Sequence, residues 1–253
     1  MFFGKNKLLF SVITVTKNSS KTISQCVRSV SDQIGVDFEH IIKDANSSDN
    51  TCDTAKSINE SIKLICCKDL GVYDAMNQGF IHAQGEIVSF LNSDDKYISN
   101  NVLSKISTIF ESTQCDFVYG DIQMVNRKGD IVRNWRVGHH LTSSIKNGQI
   151  PHPSLFIRRS VLLNIPGPFD PNYKISADLK QQLILVNKLK AKGQYLPESL
   201  VIMAMGGEST KNISSYILGW RESYRAWSEV CGNYALLFVM RKVASKIKGL
   251  KII

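Results

Sequence analysis

Apolar and polar positions in the first half of the chain follow two alternating patterns, one typical of buried strands and one typical of amphipathic helices. The run "LLFSVITV" is apolar and β-branched, and "SSKTISQCVRSVSDQ" after it has the period of a helix behind serine caps. Strand-like runs recur at "DFEHIIKDA", "IKLICC", "GEIVSFL" and "CDFVYGD", with helical patterns between them. This alternation predicts an α/β fold with a mainly parallel sheet and helices on both faces.

The second half of the chain loses this alternation after residue 121. The segment "IQMVNRKGDIVRNW" alternates apolar and polar residues around Lys128-Gly129, which predicts a β-hairpin. A short helix is expected near Ala177 to Leu189, followed by the glycine-rich segment "MGGEST" and two further helical patterns. Because no repeat or linker interrupts the chain, we expect one main domain over residues 1–212 and a helical extension over residues 213–253.

The charge balance narrows the choice of partners. The 253 residues include 31 Lys and Arg against 22 Asp and Glu, which gives a formal charge of +9 and a pI near 9.2. Such a surplus favours anionic partners, namely phosphates, nucleic acid or an acidic membrane face. A hydrophobic fraction of 43% is ordinary for a globular protein, so the charge does not indicate a disordered chain.

The cysteines and the N-terminus indicate a cytoplasmic protein. The six cysteines show no C-x-x-C spacing and five lie in periodic segments, so we expect reduced thiols and neither a disulfide framework nor a zinc site. The apolar run from Leu8 to Val15 is short, holds Ser11 and Thr14, and lacks a small-residue cleavage site, so it predicts a buried strand and not a signal peptide. No stretch approaches the ~20 apolar residues that span a bilayer.

The C-terminal segment "GNYALLFVMRKVASKIKGLKII" has the pattern of a basic amphipathic helix. Its apolar residues share one helical face, at Leu236, Met240, Val243, Ile247 and Leu250. Lysine and arginine occupy the rest of the surface. One interpretation is a helix lying in the interface of an anionic membrane, and the other is a helix packed on the domain with solvated lysines. We favour the membrane interpretation.

Polar and acidic residues follow the predicted strands at the points where the strands end. They are Thr16-Lys17-Asn18, Asp44, the segment "CKDLGVYD", Asn92-Ser93-Asp94-Asp95 and Asp121. In open α/β sheets, ligands bind beyond the carboxyl ends of the strands. Each of these residues also has an ordinary explanation as a helix cap or turn former, and we favour that explanation for Ser47, Ser48 and Asp49.

The adjacent acids Asp94 and Asp95 need a more specific explanation. Like charges near a protein surface repel at short range by an amount on the order of a few kcal/mol. Neither is needed as a cap for the following helix, since Ser99, Asn100 or Asn101 would serve. A hard divalent cation would remove the repulsion and could then bind phosphate oxygens. On the pattern alone, a metal site and a surface turn both remain open.

Four segments together resemble the family 2 glycosyltransferases of the GT-A fold. They are, in order, "VITVTKNSSKTISQCVRSVSDQ", "KDANSSDNT", "GVYDAMNQGFIHAQGEIVSFLNSDD" and "ISADLKQQL". Within that family the chain is most similar to bacterial enzymes that build colanic acid, capsules and O-antigens. The resemblance runs from about residue 8 to residue 210. It implies a Rossmann-like fold that binds a nucleotide sugar, at the inner face of the bacterial cell membrane.

The resemblance implies a donor site along the strand ends. The loop Thr16, Lys17, Asn18 matches the family's base-and-ribose loop, and Asp44 matches the aspartate that hydrogen-bonds the base. Asp69 matches the lining of the nucleotide-sugar cleft. A carboxylate accepts N–H groups of uracil or of guanine, so Asp44 alone does not select the nucleotide.

The resemblance also implies the position of the metal. Residues 92–95 match the family's D-x-D region, where the chain has Asn92 at the first position. Asp94 and Asp95 are therefore expected to bind Mg²⁺ or Mn²⁺, with Asp94 also facing the donor. Which of the two is the principal ligand stays open.

Three further positions are implied nearer the acceptor. Asp178, in "SADL", matches the catalytic base at the start of a helix, although Ala177 stands where many relatives carry glutamate. The alternative is that Asp178 only caps that helix, and both can hold. His152 matches a histidine with an acceptor or cleft-shaping role, with a structural role as the alternative. Gly207 lies in "GGEST", which resembles a mobile loop over the donor.

The implied activity is metal-dependent transfer of a hexosyl group from a nucleotide-diphosphate sugar to an acceptor hydroxyl, with inversion. The acceptor is expected to be an oligosaccharide or a lipid-linked glycan in surface polysaccharide synthesis. The alternative is a membrane-associated subunit that has lost catalysis, because Asn92 and Ala177 depart from the family pattern. Dinucleotide oxidoreductases need a G-x-G-x-x-G after the first strand, which is missing, and nucleic acid is not an expected partner.

Overall fold

The computed structural model describes residues 9–126, 128–142, 145, 149–206 and 213–232. The strands are β1 Leu9–Thr16, β2 Asp37–Asp44, β3 Lys63–Cys66, β4 Ile87–Phe90, β5 Lys96–Tyr97, β6 Phe117–Val125, β7 Ile131–Trp135, β8 Leu155–Arg158 and β9 Gly193–Ala204. The helices are α1 Ile23–Ser31, α2 Thr51–Ile58, α3 Val72–Ile81, α4 Val102–Ser112, α5 Arg159–Leu162, α6 Ala177–Leu183 and α7 Ile213–Cys231. The lid position Gly207 and the segment 233–253 lie outside the described residues.

The strands form one sheet in the order β3-β2-β1-β4-β8-β6-β9-β5, with β7 paired to β6. Strands β3, β2, β1 and β4 run parallel to one another, and β6 and β9 form a second parallel pair. Strand β8 joins the two groups by antiparallel pairing with β4 and β6. The predicted α/β class is confirmed, and the carboxyl ends of β1 to β4 meet at one edge of the sheet.

Strand β1 lies at the centre of the sheet, which explains its apolar sequence. All but its first residue are buried, since neighbouring strands cover its edges and helices cover its faces. Helix α1 packs through Ile23, Cys26, Val27 and Val30, the helical spacing that the sequence predicts. In α3, Gly79 allows close contact with the sheet, because a Cβ there would lie 2.6 Å from a methyl carbon of Ile13.

The predicted hairpin is confirmed, since β6 and β7 pair antiparallel around residues 126–130. The expectation that Asp121 ends a strand is wrong, because β6 continues to Val125. The Asp121 carboxylate accepts hydrogen bonds from the Val137 N–H and the Tyr195 hydroxyl, both at 2.8 Å. Asp121 therefore has a structural role within the sheet.

Three strands, β5, β8 and β9, were not predicted from the sequence. Strand β5 has only two residues. Strand β8 has only four residues and follows two prolines, so it carries little periodic signal. Strand β9 contains Pro197, which has no N–H for a ladder hydrogen bond. Its pairing with β6 skips residues 197–198 at a break in register, where Leu196 faces Gly120 and Ser199 faces Asp121. The break removes the regular alternation by which strands are recognised.

The predicted helix near Ala177 to Leu189 is confirmed as α6 followed by a π-helical turn over Ile184–Lys188. Helix α7 packs against α6, and its Trp227 is 2% exposed within the main core. The domain boundary at residue 212 stays a prediction. Among the described helices, none is both long and apolar enough to cross a bilayer.

Candidate active site

Four strand ends place the predicted donor residues side by side. In the parallel register, Thr16 at the end of β1 lies beside Asp44 at the end of β2, and Asp44 lies beside Cys66 at the end of β3. Strand β4 ends at Phe90, so Asn92 and the acid pair follow at the same edge. The structure therefore brings together the strand-end residues that the sequence predicted, with the exception of Asp121.

Side-chain hydrogen bonds connect the loop after β1 to the loop after β2. Asn18, with a left-handed φ of 50°, donates its N–H to Ser47 Oγ at 2.7 Å and accepts the Ser48 N–H at 2.9 Å. Lys17 is exposed at the tip of this loop. Thr16 is 7% exposed, and its Oγ1 is buried without a hydrogen-bond partner in the described chain. An unsatisfied buried hydroxyl is costly, which suits a position that a ligand completes.

Asp44 is fixed by the same loop. Its side chain accepts the Ser47 N–H at 2.6 Å and the Ser47 hydroxyl at 2.5 Å, and the residue is 1% exposed. The prediction that Ser47 to Asp49 are turn and cap residues is right for local structure, since Asp49 accepts the N–H of Thr51 at the start of α2. These residues also orient Asp44 and the first loop.

Lys43 is a residue that the sequence analysis missed. Its ammonium group is buried under the site and forms an ion pair with Asp69 Oδ2 at 2.9 Å. It also donates to the backbone carbonyls of Asp44 and Cys67, at 3.1 and 2.7 Å. Lys43 therefore holds the Asp44 backbone and the Asp69 carboxylate in a fixed relative position. The position of Lys43 directly after Ile41 and Ile42, in the buried part of β2, was the signal that could have shown it.

Replacing Lys43 by methionine is expected to lower the free energy of unfolding by about 3–5 kcal/mol, because it leaves the Asp69 carboxylate without its buried partner. Urea denaturation of the purified protein measures this change. Lys105→Met is the matched control, since Lys105 pairs with Glu198 on the surface and its loss costs about 1 kcal/mol or less. Equal midpoints for both variants would contradict the role of Lys43.

The adjacent acids differ in environment. Asp95 is 2% exposed, and its carboxylate accepts hydrogen bonds from Asn92 Nδ2 at 3.1 Å and the Ala204 N–H at 3.3 Å. Burial, and then the neighbouring charge of Asp94, hold the pKa of Asp95 well above its usual range. Asp94 is exposed as a residue, yet desolvation by the surrounding protein also raises the pKa of its carboxyl. The polypeptide alone therefore stabilises the paired anions poorly.

The acid pair fits a hard divalent ion. Within the described residues, neither Asp94 nor Asp95 forms an ion pair with lysine, arginine or histidine. The pair offers two carboxylates, which matches the way Mg²⁺ is usually held, by one or two carboxylates plus water and substrate phosphates. The donor set consists of oxygens only, as Mg²⁺ and Mn²⁺ prefer.

Asn92, the departure from the family pattern, connects the acid pair to His152. Its Nδ2 donates to Asp95 and lies 3.3 Å from His152 Nε2, so Nε2 acts as acceptor and the ring proton is on Nδ1. That Nδ1 is buried without a partner in the described chain. Burial lowers the pKa of His152, while the carboxylates of Asp178 and Asp94 oppose this shift. His152 therefore lies between the acid pair and Asp178, as a neutral ring near pH 7.

Asp178 lies in the first turn of α6, as the sequence predicted. One carboxylate oxygen accepts the Leu179 N–H at 2.8 Å and lies 3.4 Å from the Tyr73 hydroxyl, which also donates to the Ile175 carbonyl at 2.7 Å. The other oxygen accepts from Gln149 Nε2. The residue is 8% exposed, so its carboxylate is held in place and keeps free lone pairs.

The run "GVYDAMNQG" connects the donor half of the molecule to Asp178. Besides the contacts of Tyr73, Asn77 donates to the Phe169 carbonyl at 2.7 Å and accepts the Phe169 N–H at 2.9 Å. Both contacts fix the segment before α6. Helix α3 therefore connects the sheet to the segment around Asp178 through Tyr73 and Asn77.

Glu222 of α7 is a second residue that the sequence analysis missed. Its carboxylate accepts three consecutive backbone N–H groups, those of Lys174, Ile175 and Ser176, at 2.8, 2.8 and 2.9 Å. It is 7% exposed. These bonds fix the chain immediately before Asp178, so Glu222 is a positioning residue for that carboxylate.

The variant Glu222→Gln is expected to lower kcat while leaving UDP or GDP affinity within about twofold of wild type, since only one oxygen remains to accept the three N–H groups. Each lost hydrogen bond to the charged group costs about 1.5–3 kcal/mol, so Tm should fall too. Steady-state kinetics measure kcat, and nucleotide titration measures the affinity for UDP or GDP. Glu198→Gln, an exposed carboxylate, is the control. A change in nucleotide affinity as large as the change in kcat would contradict the assignment.

Comparison with known proteins supports what the fold and the site indicate. The sequence profile of Glycosyl transferase family 2 matches residues 11–165. The chain belongs to this family of glycosyltransferases.

The most similar curated relatives include a PGL/p-HBAD biosynthesis glycosyltransferase of Mycobacterium bovis, 31% identical over 67% of this chain and 66% of the relative. The Escherichia coli UDP-Glc:alpha-D-GlcNAc-diphosphoundecaprenol beta-1,3-glucosyltransferase WfgD is 30% identical over 64% of each chain. The matched part of this chain therefore spans about two thirds of those relatives' length. The first relative is named for PGL/p-HBAD biosynthesis, and the second for glucosyl transfer to GlcNAc-diphosphoundecaprenol.

Solved structures confirm the GT-A fold. Staphylococcus aureus TarS 1–349 in complex with UDP-GlcNAc superposes with a TM-score of 0.68 at 19% identity, over 90% of this chain and 69% of that chain. The mannosyltransferase PcManGT of Pyrobaculum calidifontis, in complex with GDP-Man and Mn²⁺, gives a TM-score of 0.64 at 16% identity, over 97% and 76%. At these identities the likeness concerns the fold.

Proposed function

We propose that this chain transfers a sugar from a nucleotide-diphosphate donor to a hydroxyl of a lipid-linked or oligosaccharide acceptor, with inversion. The observation that carries this proposal is the connection of the strand-end donor residues to Asp178 through the acid pair and His152. The first loop joins the same network, because Ser93 Oγ donates to Ser19 Oγ at 3.0 Å. These contacts support a common site for donor and acceptor.

Asp178 is the proposed base. As the acceptor oxygen forms its bond to the anomeric carbon, its proton passes to the Asp178 carboxylate, and the bond from the anomeric carbon to the diphosphate oxygen breaks on the opposite face. The N–H and hydroxyl donors around Asp178 hold the carboxylate in a fixed orientation for this transfer. General base catalysis of this kind contributes about 10²–10⁴-fold in rate.

The donor half of the proposal assigns roles at the strand ends. Asp44 would read the nucleotide base, the unsatisfied Thr16 hydroxyl and the loop of Lys17 and Asn18 would bind base and ribose, and Asp69 would line the sugar-diphosphate side. Solved complexes of proteins with this fold support this class of ligand, since TarS is in complex with UDP-GlcNAc and PcManGT with GDP-Man. Uridine and guanosine donors are both compatible with Asp44.

Asp94 and Asp95 are the proposed ligands of Mg²⁺ or Mn²⁺. A bound ion supplies Lewis-acid stabilisation of the charge on the departing diphosphate. The polypeptide contributes the two carboxylates, with Asn92 orienting Asp95 by a hydrogen bond. The complex of PcManGT with Mn²⁺ supports this choice of ion in a protein of the same fold. The Nδ1–H of His152 would orient the acceptor or the donor phosphate by donating a hydrogen bond.

Thermal-shift measurements with UDP-glucose, UDP-GlcNAc and GDP-mannose, each with and without Mn²⁺, test the donor part of the proposal. We expect one nucleotide class to raise Tm with Mn²⁺ present, by an amount that grows with ligand concentration, because binding to the native state stabilises it. Shifts that are absent for all donors, or unaffected by Mn²⁺, would contradict the proposal. Transfer of radiolabelled sugar to a lipid-linked acceptor then separates an enzyme from a binding subunit without catalysis.

A membrane-associated, cytoplasmic location on the inner face of the bacterial membrane is part of the proposal. It suits a lipid-linked acceptor such as the one named for WfgD and the basic segment 233–253, which lies outside the described residues. A chain ending at residue 232 should no longer sediment with vesicles containing anionic lipid. Continued sedimentation would show that this segment is not the anchor.

A further inference from the structure

A thiol–carboxylate cluster, formed by Asp44, Cys52 and Cys66, lies at the end of β2. One carboxylate oxygen of Asp44 and the two sulfur atoms are all within 4.8 Å of one another, and the sulfurs are 3.7 Å apart. Asp44 is buried, Cys52 is partly buried and Cys66 is exposed. The cluster therefore opens to solvent on the side of Cys66.

The fold builds this cluster from three separate elements. Asp44 and Cys66 are partners in the parallel register of β2 and β3, and Cys52 lies in the first turn of α2. The next residue, Cys67, is not part of the cluster, since its thiol donates to Gln78 Oε1 at 3.1 Å. A spacing of 14 residues between Cys52 and Cys66 gives no sequence signal for a metal site.

The geometry suits a tetrahedral metal ion. Two thiolates bound to Zn²⁺ at about 2.3 Å with tetrahedral angles have their sulfurs about 3.8 Å apart. The sulfurs of Cys52 and Cys66 are 3.7 Å apart before any ion is bound. Sulfur ligands select a borderline-soft ion such as Zn²⁺, in contrast to the oxygen-only pair of Asp94 and Asp95. Three protein ligands leave a fourth position for solvent, on the open side of the cluster.

The electrostatics of the cluster agree with this geometry. Burial raises the pKa of the Cys52 thiol to about 12, with further contributions from the Cys66 thiol and the Asp44 carboxylate. The Cys52 thiol is therefore protonated at neutral pH in the metal-free protein, and a divalent cation would favour its thiolate form. One Zn²⁺ bound to two thiolates and the Asp44 carboxylate would leave the cluster with a net charge of −1.

We propose that the cluster is a zinc site, with Zn²⁺ bound by a carboxylate oxygen of Asp44, the sulfurs of Cys52 and Cys66, and a solvent molecule. Occupation of this site engages the carboxylate that would otherwise face the nucleotide base. Zinc is therefore an inhibitor that competes with the donor. This second statement rests on the proposed function, whereas the zinc site itself does not.

Cobalt substitution tests the site directly. Titration of the reduced wild-type protein with Co²⁺ should give one equivalent of thiolate-to-cobalt charge-transfer absorption, which Zn²⁺ then displaces. Cys52→Ser and Cys66→Ser should each weaken Zn²⁺ binding at least about tenfold and reduce this absorption. Cys67→Ser and Cys231→Ser are matched controls that keep the wild-type signal. The site is overturned if wild type shows no such absorption, or if both cluster variants retain it unchanged.

Nucleotide competition tests the consequence. With Mn²⁺ present, one equivalent of Zn²⁺ should raise the apparent Kd for UDP or GDP, whichever binds, at least about tenfold in wild type. The effect should be lost in Cys52→Ser, which shows that it does not arise from zinc at Asp94 and Asp95. If the cobalt signature is present but nucleotide affinity is unaffected, the zinc site stands and the placement of Asp44 at the base is wrong. If the signature is absent while nucleotide still binds with Mn²⁺, the zinc site is wrong and the proposed function stands.

Discussion

Asp178→Asn is expected to reduce kcat for sugar transfer by about 10²–10⁴-fold while leaving nucleotide affinity within about twofold of wild type. The asparagine keeps an oxygen to accept the Leu179 N–H, so the start of α6 should not rearrange. It cannot take a proton from the acceptor hydroxyl. Steady-state transfer kinetics together with calorimetric titration of UDP or GDP measure the two quantities.

The control for this variant is Asp130→Asn, which removes a carboxylate from the exposed β6–β7 turn and should leave kcat unchanged. Transfer at the wild-type rate would remove Asp178 from the mechanism.

Asp95→Asn is expected to abolish the dependence of donor affinity on Mn²⁺ and, in the metal-free protein at pH 7, to raise Tm. Because burial holds the pKa of Asp95 above its usual range, the folded protein binds that proton more tightly than the unfolded chain. The stability that Asp95 contributes is therefore present at low pH and is lost as pH rises above about 4 through the folded-state pKa. Asparagine carries no such charge, so each kcal/mol of relief should raise Tm by about 2–4 °C.

Measurement of Tm from pH 4 to pH 8, with and without Mn²⁺, checks both parts. Wild type should gain stability from Mn²⁺ at neutral pH, whereas Asp95→Asn should not. Asp116→Asn is a suitable control, since its carboxylate is outside the acid pair and accepts the Lys192 N–H at 2.7 Å. If metal-free Asp95→Asn is less stable than metal-free wild type at every pH, then the buried Asp95 carboxylate does not destabilise the fold.

The first half of the fold could be predicted from the sequence because its signals are local. Strands β1 and β4 are short, mainly apolar runs bounded by polar residues, and helix α1 has a clear apolar face. The strand-end rule then placed Thr16, Asp44 and the acid pair on one edge, which the structure confirms. The roles of these residues in binding and catalysis stay predictions.

The rest of the site depends on contacts between residues far apart in the sequence. Lys43 and Asp69 are 26 residues apart, and Glu222 is 46 to 48 residues from the N–H groups it binds. Nothing in the local pattern of either segment shows such a pairing. The same holds for Cys52 and Cys66, which were expected to have no zinc-binding role because of the cysteine spacing and the periodic segments around them. Tertiary pairing, not composition, makes these residues candidates.

The anchoring of Asp178 has a consequence for how such enzymes diversify. The family match ends at residue 165, whereas Asp178 and the glutamate that fixes its loop both lie beyond it. Tyr73 and Asn77 join the matched part of the chain to the segment before Asp178, and β9 joins it to β6 in the sheet. Variation of the segment between residue 165 and Asp178 is therefore limited by the contacts of Tyr73 and Asn77.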